Sequence, residues 1–203
     1  MKNRISLSVI LLCVALLLGG CTMRTVDEMY RLPRRSQTDD DLQSTIDDAM
    51  GGLNYAAPLA GENQQTVQMA DLNGDGKVEY IVFARDNANK AIRIMIFDQA
   101  EDGFRLFSVI ESHGSAFEQV EYVDMDGEPG LEMVVGRQVS DQILRSVSVY
   151  TFSAGTPEQM MTANYLKFLT CDLDENGKTE LLLIQPGESD ADRGVVTLYS
   201  HDQ

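Results

Sequence analysis

Hydrophobic positions recur along this chain with two different periods. Between Leu42 and Met50 they fall at Leu42, Ile46, Ala49 and Met50, the i, i+4, i+7, i+8 stripe of an amphipathic helix. Thr38 is placed to cap that helix, Asp39, Asp40 and Asp41 favour its positive end, and Gly51-Gly52 stops it. A short helix is therefore predicted over about 39–50. From about residue 66 onward the period shortens to two: Ile92, Ile94 and Ile96 alternate, and Val147 and Val149 alternate with Ser146 and Ser148. Short apolar runs separated by Asp, Asn and Gly predict an all-β body. Several runs are apolar on both faces, as in 80–83 (YIVF) and 181–184 (LLLI), so their strands need cover on both sides.

The remaining long apolar run lies at the start. Lys2 and Arg4 precede Ile5–Leu18, which is shorter than the roughly 18–20 residues of a spanning helix, and Gly19-Gly20 leads into Cys21. This is the layout of a secretory signal, and its end, LLGGC, resembles the bacterial lipobox. That resemblance implies a lipoprotein signal peptide over 1–20 and a diacylglycerol on the Cys21 sulfur. The expected location is the extracytoplasmic face of a cell membrane. An ordinary secretory signal with an unmodified cysteine is the competing reading. Residues 21–64 then form a lipid-anchored tether with the short helix at its end. Arg24, Arg31, Arg34 and Arg35 lie near the lipid, where they rest on anionic headgroups or are simply solvated. With Cys13 removed and Cys21 lipidated, Cys171 stands alone, which leaves no internal disulfide and no multi-cysteine zinc site.

Within 65–203 one segment repeats. DLNGDGKVEYIVF begins at Asp71, DMDGEPGLEMVV at Asp124 and DLDENGKTELLLI at Asp172, spaced 53 and 48 residues apart. Each has Asp at place 1, Asn or Asp at place 3, an oxygen-bearing side chain at place 5 and Glu at place 9, then enters an apolar run. Calcium wants six to eight oxygens at about 2.3–2.6 Å, and a tight loop presents side chains at alternate places with a backbone carbonyl at place 7. The first loop offers Asp71, Asn73, Asp75, the Lys77 carbonyl and Glu79. The second offers Asp124, Asp126, Glu128, the Gly130 carbonyl and Glu132, and the third Asp172, Asp174, Asn176, the Lys178 carbonyl and Glu180. Gly76 and Gly177 at place 6 suit a sharp turn, where the second loop has Pro129. An EF-hand would need Glu at place 12, which is Val82, Val135 and Leu183 here. The competing reading is an ordinary hairpin turn, for which Asn-Gly and Asp-Gly suffice but carboxylates at places 1 and 9 do not matter.

The pattern resembles the FG-GAP/VCBS repeats of integrin-like β-propellers, over roughly 66–203. It departs from them in lacking a clear Phe-Gly opening or Gly-Ala-Pro close; Val135-Gly136 is the nearest approach. The resemblance implies a partial propeller of about three calcium-loop blades, each loop joining two strands of a blade. Such scaffolds are extracellular and serve binding.

Charge narrows the partners. Once Lys2 and Arg4 leave with the signal, 14 basic residues face 32 acidic ones, a net −18, which disfavours nucleic acid. His113 and His201 are expected at the surface or in turns. Tyr80, Tyr122, Tyr150, Tyr165 and Tyr199 are expected to pack strands, with sugar stacking open for one or two. No nucleophile, base and orienter assemble. The expectation is a non-enzymatic envelope lipoprotein that binds a protein or glycan; the alternative is an accessory fragment of a polysaccharide-active extracellular enzyme. The third repeat has room for strands near 180–184 and 194–200 only. A missing C-terminal half, or another chain, is expected to complete the β structure.

Overall fold

In the computed structural model residues 37–88, 91–139, 145–152, 156–187 and 194–201 are described. The signal peptide, Cys21 and the tether to residue 36 lie outside them, as do residues 140–144 and 188–193. Among the described residues no helix is long and apolar enough to cross a membrane.

Among the described residues the protein is all-β apart from one helix, α1 (Gln37–Met50). The helix begins at Gln37, so Thr38 lies within it and is not its cap. Neither Gln37 nor Thr38 is a breaker, so the helix extends past the start that the acidic cluster suggested. The described strands form three antiparallel sheets in chain order. The first holds β1 (Asn54–Tyr55), β2 (Val67–Ala70), β3 (Glu79–Asp86), β4 (Ala91–Ala100) and β5 (Gly103–His113), with β1 and β2 sharing one edge of β3. The second is the meander β6 (Ala116–Val123), β7 (Glu132–Gln138), β8 (Arg145–Thr151) and β9 (Glu158–Tyr165). The third is β10 (Lys167–Cys171), β11 (Glu180–Gln185) and β12 (Val195–Tyr199). No sheet closes on itself among the described residues.

The sheets stack face to face in sequence order, which explains the runs that are apolar on both faces. On β3, Val82 and Ala84 face α1, where Ile46 and Met50 cover them together with Met95 and Phe97. The alternate residues Ile81 and Phe83, with Ile92, Ile94 and Ile96, pack on Phe117, Met133, Val135 and Tyr150 of the second sheet. The opposite face of that sheet, Val134, Val147 and Val149, meets Phe168, Leu181 and Leu183 of the third. Edge-to-face ring pairs, Phe83 on Phe117 and Tyr165 on Phe168, span or flank both joints.

The third sheet breaks the rule. Leu182 and Ile184 on β11 pair with Leu198 and Val196 on β12, and Leu169 on β10 pairs with Leu182, all on the outer face. Ile184, Leu169, Leu198 and Val196 are 37, 48, 50 and 61% exposed. The cover expected on both sides of LLLI is present on one side only among the described residues.

Candidate metal centre

Each repeated segment joins two consecutive strands paired in one sheet: residues 71–78 link β2 to β3, 124–131 link β6 to β7, and 172–179 link β10 to β11. Glu at place 9 is the first residue of the second strand in each case. Its side chain points inward, and Glu79, Glu132 and Glu180 are only 2, 3 and 4% exposed. In all three one oxygen accepts the backbone N–H of place 2: from Leu72 at 2.8 Å, Met125 at 2.8 Å and Leu173 at 2.7 Å. The hydrogen bond ties the loop's entry to its exit.

The aspartates at place 1 accept from the turn itself. Asp71 takes Gly74 N and Gly76 N, Asp124 takes Gly127 N, and Asp172 takes Asn176 N and Gly177 N. Side chains at place 3 accept from place 5: Asn73 from Asp75, Asp126 from Glu128, Asp174 from Asn176. Place 5 repeats the pattern in two loops, where Asp75 accepts from Lys77 and Asn176 from Lys178. Successive side chains are thus turned toward the loop interior.

In the second loop carboxylate oxygens of Asp124, Asp126 and Glu132 lie within 4.8 Å of one another, and in the third those of Asp172, Asp174 and Glu180 do the same. Two oxygens on one calcium are separated by at most about 5 Å, so both sets fit a hard cation in donor chemistry and in span. The first loop is different. Asn73 replaces the acid at place 3, and its amide nitrogen donates to Glu79 at 2.8 Å. Among the described residues no trio of acids gathers there. Glu128 is exposed and stands outside the second cluster.

Burial of like charge leaves its mark. Desolvation first, then Asp75 and Asp71, hold the Glu79 carboxyl above its ordinary value, against the Leu72 N–H, which lowers it. Desolvation, Asp126 and Asp124 do the same to Glu132, against the Met125 N–H. A bound dication would oppose both effects.

The turn is made where the sequence pattern did not point. Place 4 carries positive φ in all three loops: Gly74 at 73°, Gly127 at 78° and Glu175 at 60°. Place 6 does so only at Gly76 and Gly177; the second loop, with Pro129 there, uses Gly130 at place 7 with φ 112°. Pro129 is accommodated because it packs against Gly74, where a Cβ would collide with it.

The loops also form a ladder. Place 8 of one loop donates its N–H to the place-1 carbonyl of the loop before: Leu131 to Asp71 at 3.1 Å and Thr179 to Asp124 at 2.7 Å. Lys178 Nζ donates to the Asp126 carbonyl at 2.7 Å, setting a positive charge beside the second cluster. Because each loop is covered by the next, Leu72 and Met125 at place 2 are 2 and 5% exposed, whereas their counterpart Leu173 is 53% exposed. The matching glycines Gly74 and Gly127 were the available signal for place 4; the inter-loop bonds had none.

Compared with protein-family models the chain matches none, and no curated protein matches it.

Proposed function

We propose that this chain is a lipid-anchored protein of the extracytoplasmic envelope, in which a calcium-stiffened, propeller-like stack of FG-GAP/VCBS-type blades serves as a non-catalytic scaffold for binding a protein or glycan. One observation carries the reading: Asp124, Asp126 and Glu132, and again Asp172, Asp174 and Glu180, converge within 4.8 Å on a hairpin scaffold used three times. A turn needs only the glycines and Asx hydrogen bonds. Accepting the place-2 N–H needs one oxygen and not a third carboxylate sunk to 3–4% exposure beside two others. Calcium would be held by these side chains and would supply the counter-charge that joins loop to strand. The lipobox-like LLGGC places the anchor at Cys21, and the net acidity favours a partner other than nucleic acid.

Thermal melting of the protein in about 1 mM calcium against chelator tests the metal. At an extracellular-type Kd near 0.1 mM each occupied site adds about 1.4 kcal/mol, and superimposable curves would reject it. Labelling with a tagged fatty acid tests the anchor: the label is lost in Cys21→Ser, and its retention there would remove the lipid assignment.

A further inference from the structure

Each joint of the stack is made by the same side of a sheet, the side on which the place-9 glutamate lies. On β3, Ile81 and Phe83 alternate from Glu79 and pack on the second sheet; on β7, Val134 follows Glu132 and meets the third. Leu72 and Met125, at place 2 of the first two loops, are buried in those same joints. The first joint also has a polar end. Arg137 Nη1 donates to Ser112 Oγ at 2.7 Å, and Ser146 and Ser148, in register with Arg137 and Val135, are buried on that side of the second sheet.

The third sheet presents this side without a neighbour among the described residues. Leu182 and Ile184 alternate from Glu180, and Leu169, Leu198 and Val196 lie in register beside them. Leu173, the counterpart of Leu72 and Met125, is 53% exposed where they are covered. The exposed fractions of these side chains amount to an apolar surface on the order of 400 Å², the size of a contact patch and not of scattered residues.

Three observations select a second copy of the chain as its cover. In a chain with 32 acids against 16 basic residues, the one acid on this side of the three strands is Glu180, which is 4% exposed, so two like-charged copies can meet here. The two ends of the side are opposite in sign. Exposed Lys167, in no ion pair among the described residues, pairs with Ile184 at one end, and Cys171 pairs with Glu180 at the other, beside exposed Asp172 and Asp174. Two such sheets stacked with their strands antiparallel set each Lys167 against the acidic loop of the other copy, about 13 Å along the strand. Finally, the far end of the stack is sealed, because Ile46 and Met50 of α1 cover the outer face of the first sheet. A further copy has no matching face there, so the assembly closes at two.

We propose that the exposed side of the third sheet is the contact of a two-fold homodimer in which two copies stack with antiparallel strands. The dimer needs neither calcium nor the ligand of the binding reading. Its area is at the low end of specific interfaces, which sets Kd on the order of 10–100 µM. At about 1 µM, a concentration suited to unfolding measurements, the copies are apart.

Sedimentation equilibrium of the full chain in a density-matched detergent, from about 5 to 500 µM, tests it. A monomer–dimer equilibrium in that range is expected. Leu198→Glu and Leu169→Glu each place two like charges in the contact and should weaken it at least about tenfold, whereas Met69→Glu, on the equally exposed β2, should leave it unchanged. Lys167→Glu should weaken it about threefold. Melting of each variant at about 1 µM shows that it is folded, and should one of the two glutamate variants of the contact not fold, the other decides. A chain monomeric to about 500 µM overturns the proposal, and cover by residues 1–36 or by a different protein would give that result. Assemblies beyond two copies, or a dimer that both Leu198→Glu and Leu169→Glu leave at parental affinity, overturn it as well.

Discussion

Replacing Glu132 by Gln separates a structural carboxylate from a metal-binding one. The side chain is 3% exposed and accepts the Met125 N–H at 2.8 Å, and an amide oxygen can keep that bond. What changes is charge. Two unit charges 4.8 Å apart, the span of this cluster, repel by about 3–4 kcal/mol at an effective dielectric of about 20. Solvent at the half-exposed aspartates reduces this to about 1 kcal/mol. Without metal, Glu132→Gln relieves that repulsion and lets the new amide N–H groups face Asp124 and Asp126. The variant should then melt about 2–4 °C above the parent in chelator. With about 1 mM calcium the parent gains about 1.4 kcal/mol at this site, and the variant, short of one anionic ligand, gains almost nothing there. Calorimetric melting of both proteins in both buffers reads the four values. A variant less stable than the parent in chelator, or one that keeps the full calcium response, would refute the reasoning.

Glu175→Gly should raise the melting temperature by about 1–4 °C, because Glu175 holds φ 60° at the place where the other loops have glycine; an unchanged or lower value would show that the turn carries no strain. Leu183→Ala, deep in the joint between the second and third sheets, should cost about 2–5 kcal/mol in denaturant unfolding. Leu198→Thr on the half-exposed outer face should cost under about 1 kcal/mol, and a large loss there would mean that this face is covered in solution. In chelator, melting should fall as pH rises from about 4.5 toward 7. Glu79 and Glu132 have folded values above the ordinary 4.5, so in that window the folded state binds more protons than the unfolded one and stability declines with pH. Glu132→Gln should flatten the slope and calcium should remove it; a rise with pH in chelator would contradict the burial of these acids.

The repeat made the fold class legible. Once Asp71, Asp124 and Asp172 are aligned, the strand after each loop begins at the Glu of place 9, and the residues after Glu79, Glu132 and Glu180 do enter β3, β7 and β11. The helix stripe was equally readable, because Ile46 and Met50 bury the face that the spacing marks. The left-handed turn at place 4 was obscured by Glu175, whose side chain gives no sign of positive φ. The place-6 glycine was also a poor guide to the turn of the second loop. Pro129 blocks that turn, yet Gly127 and Gly130 supply another, and the second loop gathers its acids while the first, with Asn73, does not. Cover is a property of neighbours, so sequence alone could not tell that LLLI would have one apolar face exposed. For the same reason the polar joint around Arg137 was hidden: the alternation of Ser146 and Ser148 with Val147 and Val149 does not show which side a second sheet covers.

If the acidic loops hold calcium, titration calorimetry of the metal-free full chain with calcium reads the bound equivalents themselves. Two equivalents should bind, at the second and third loops, with Kd near 0.1 mM, a third only if the Asn73 amide reverses. Asp124→Ala and Asp172→Ala should each remove one equivalent. No heat of binding up to several millimolar calcium, or two equivalents that survive both substitutions together, would contradict calcium binding at these loops.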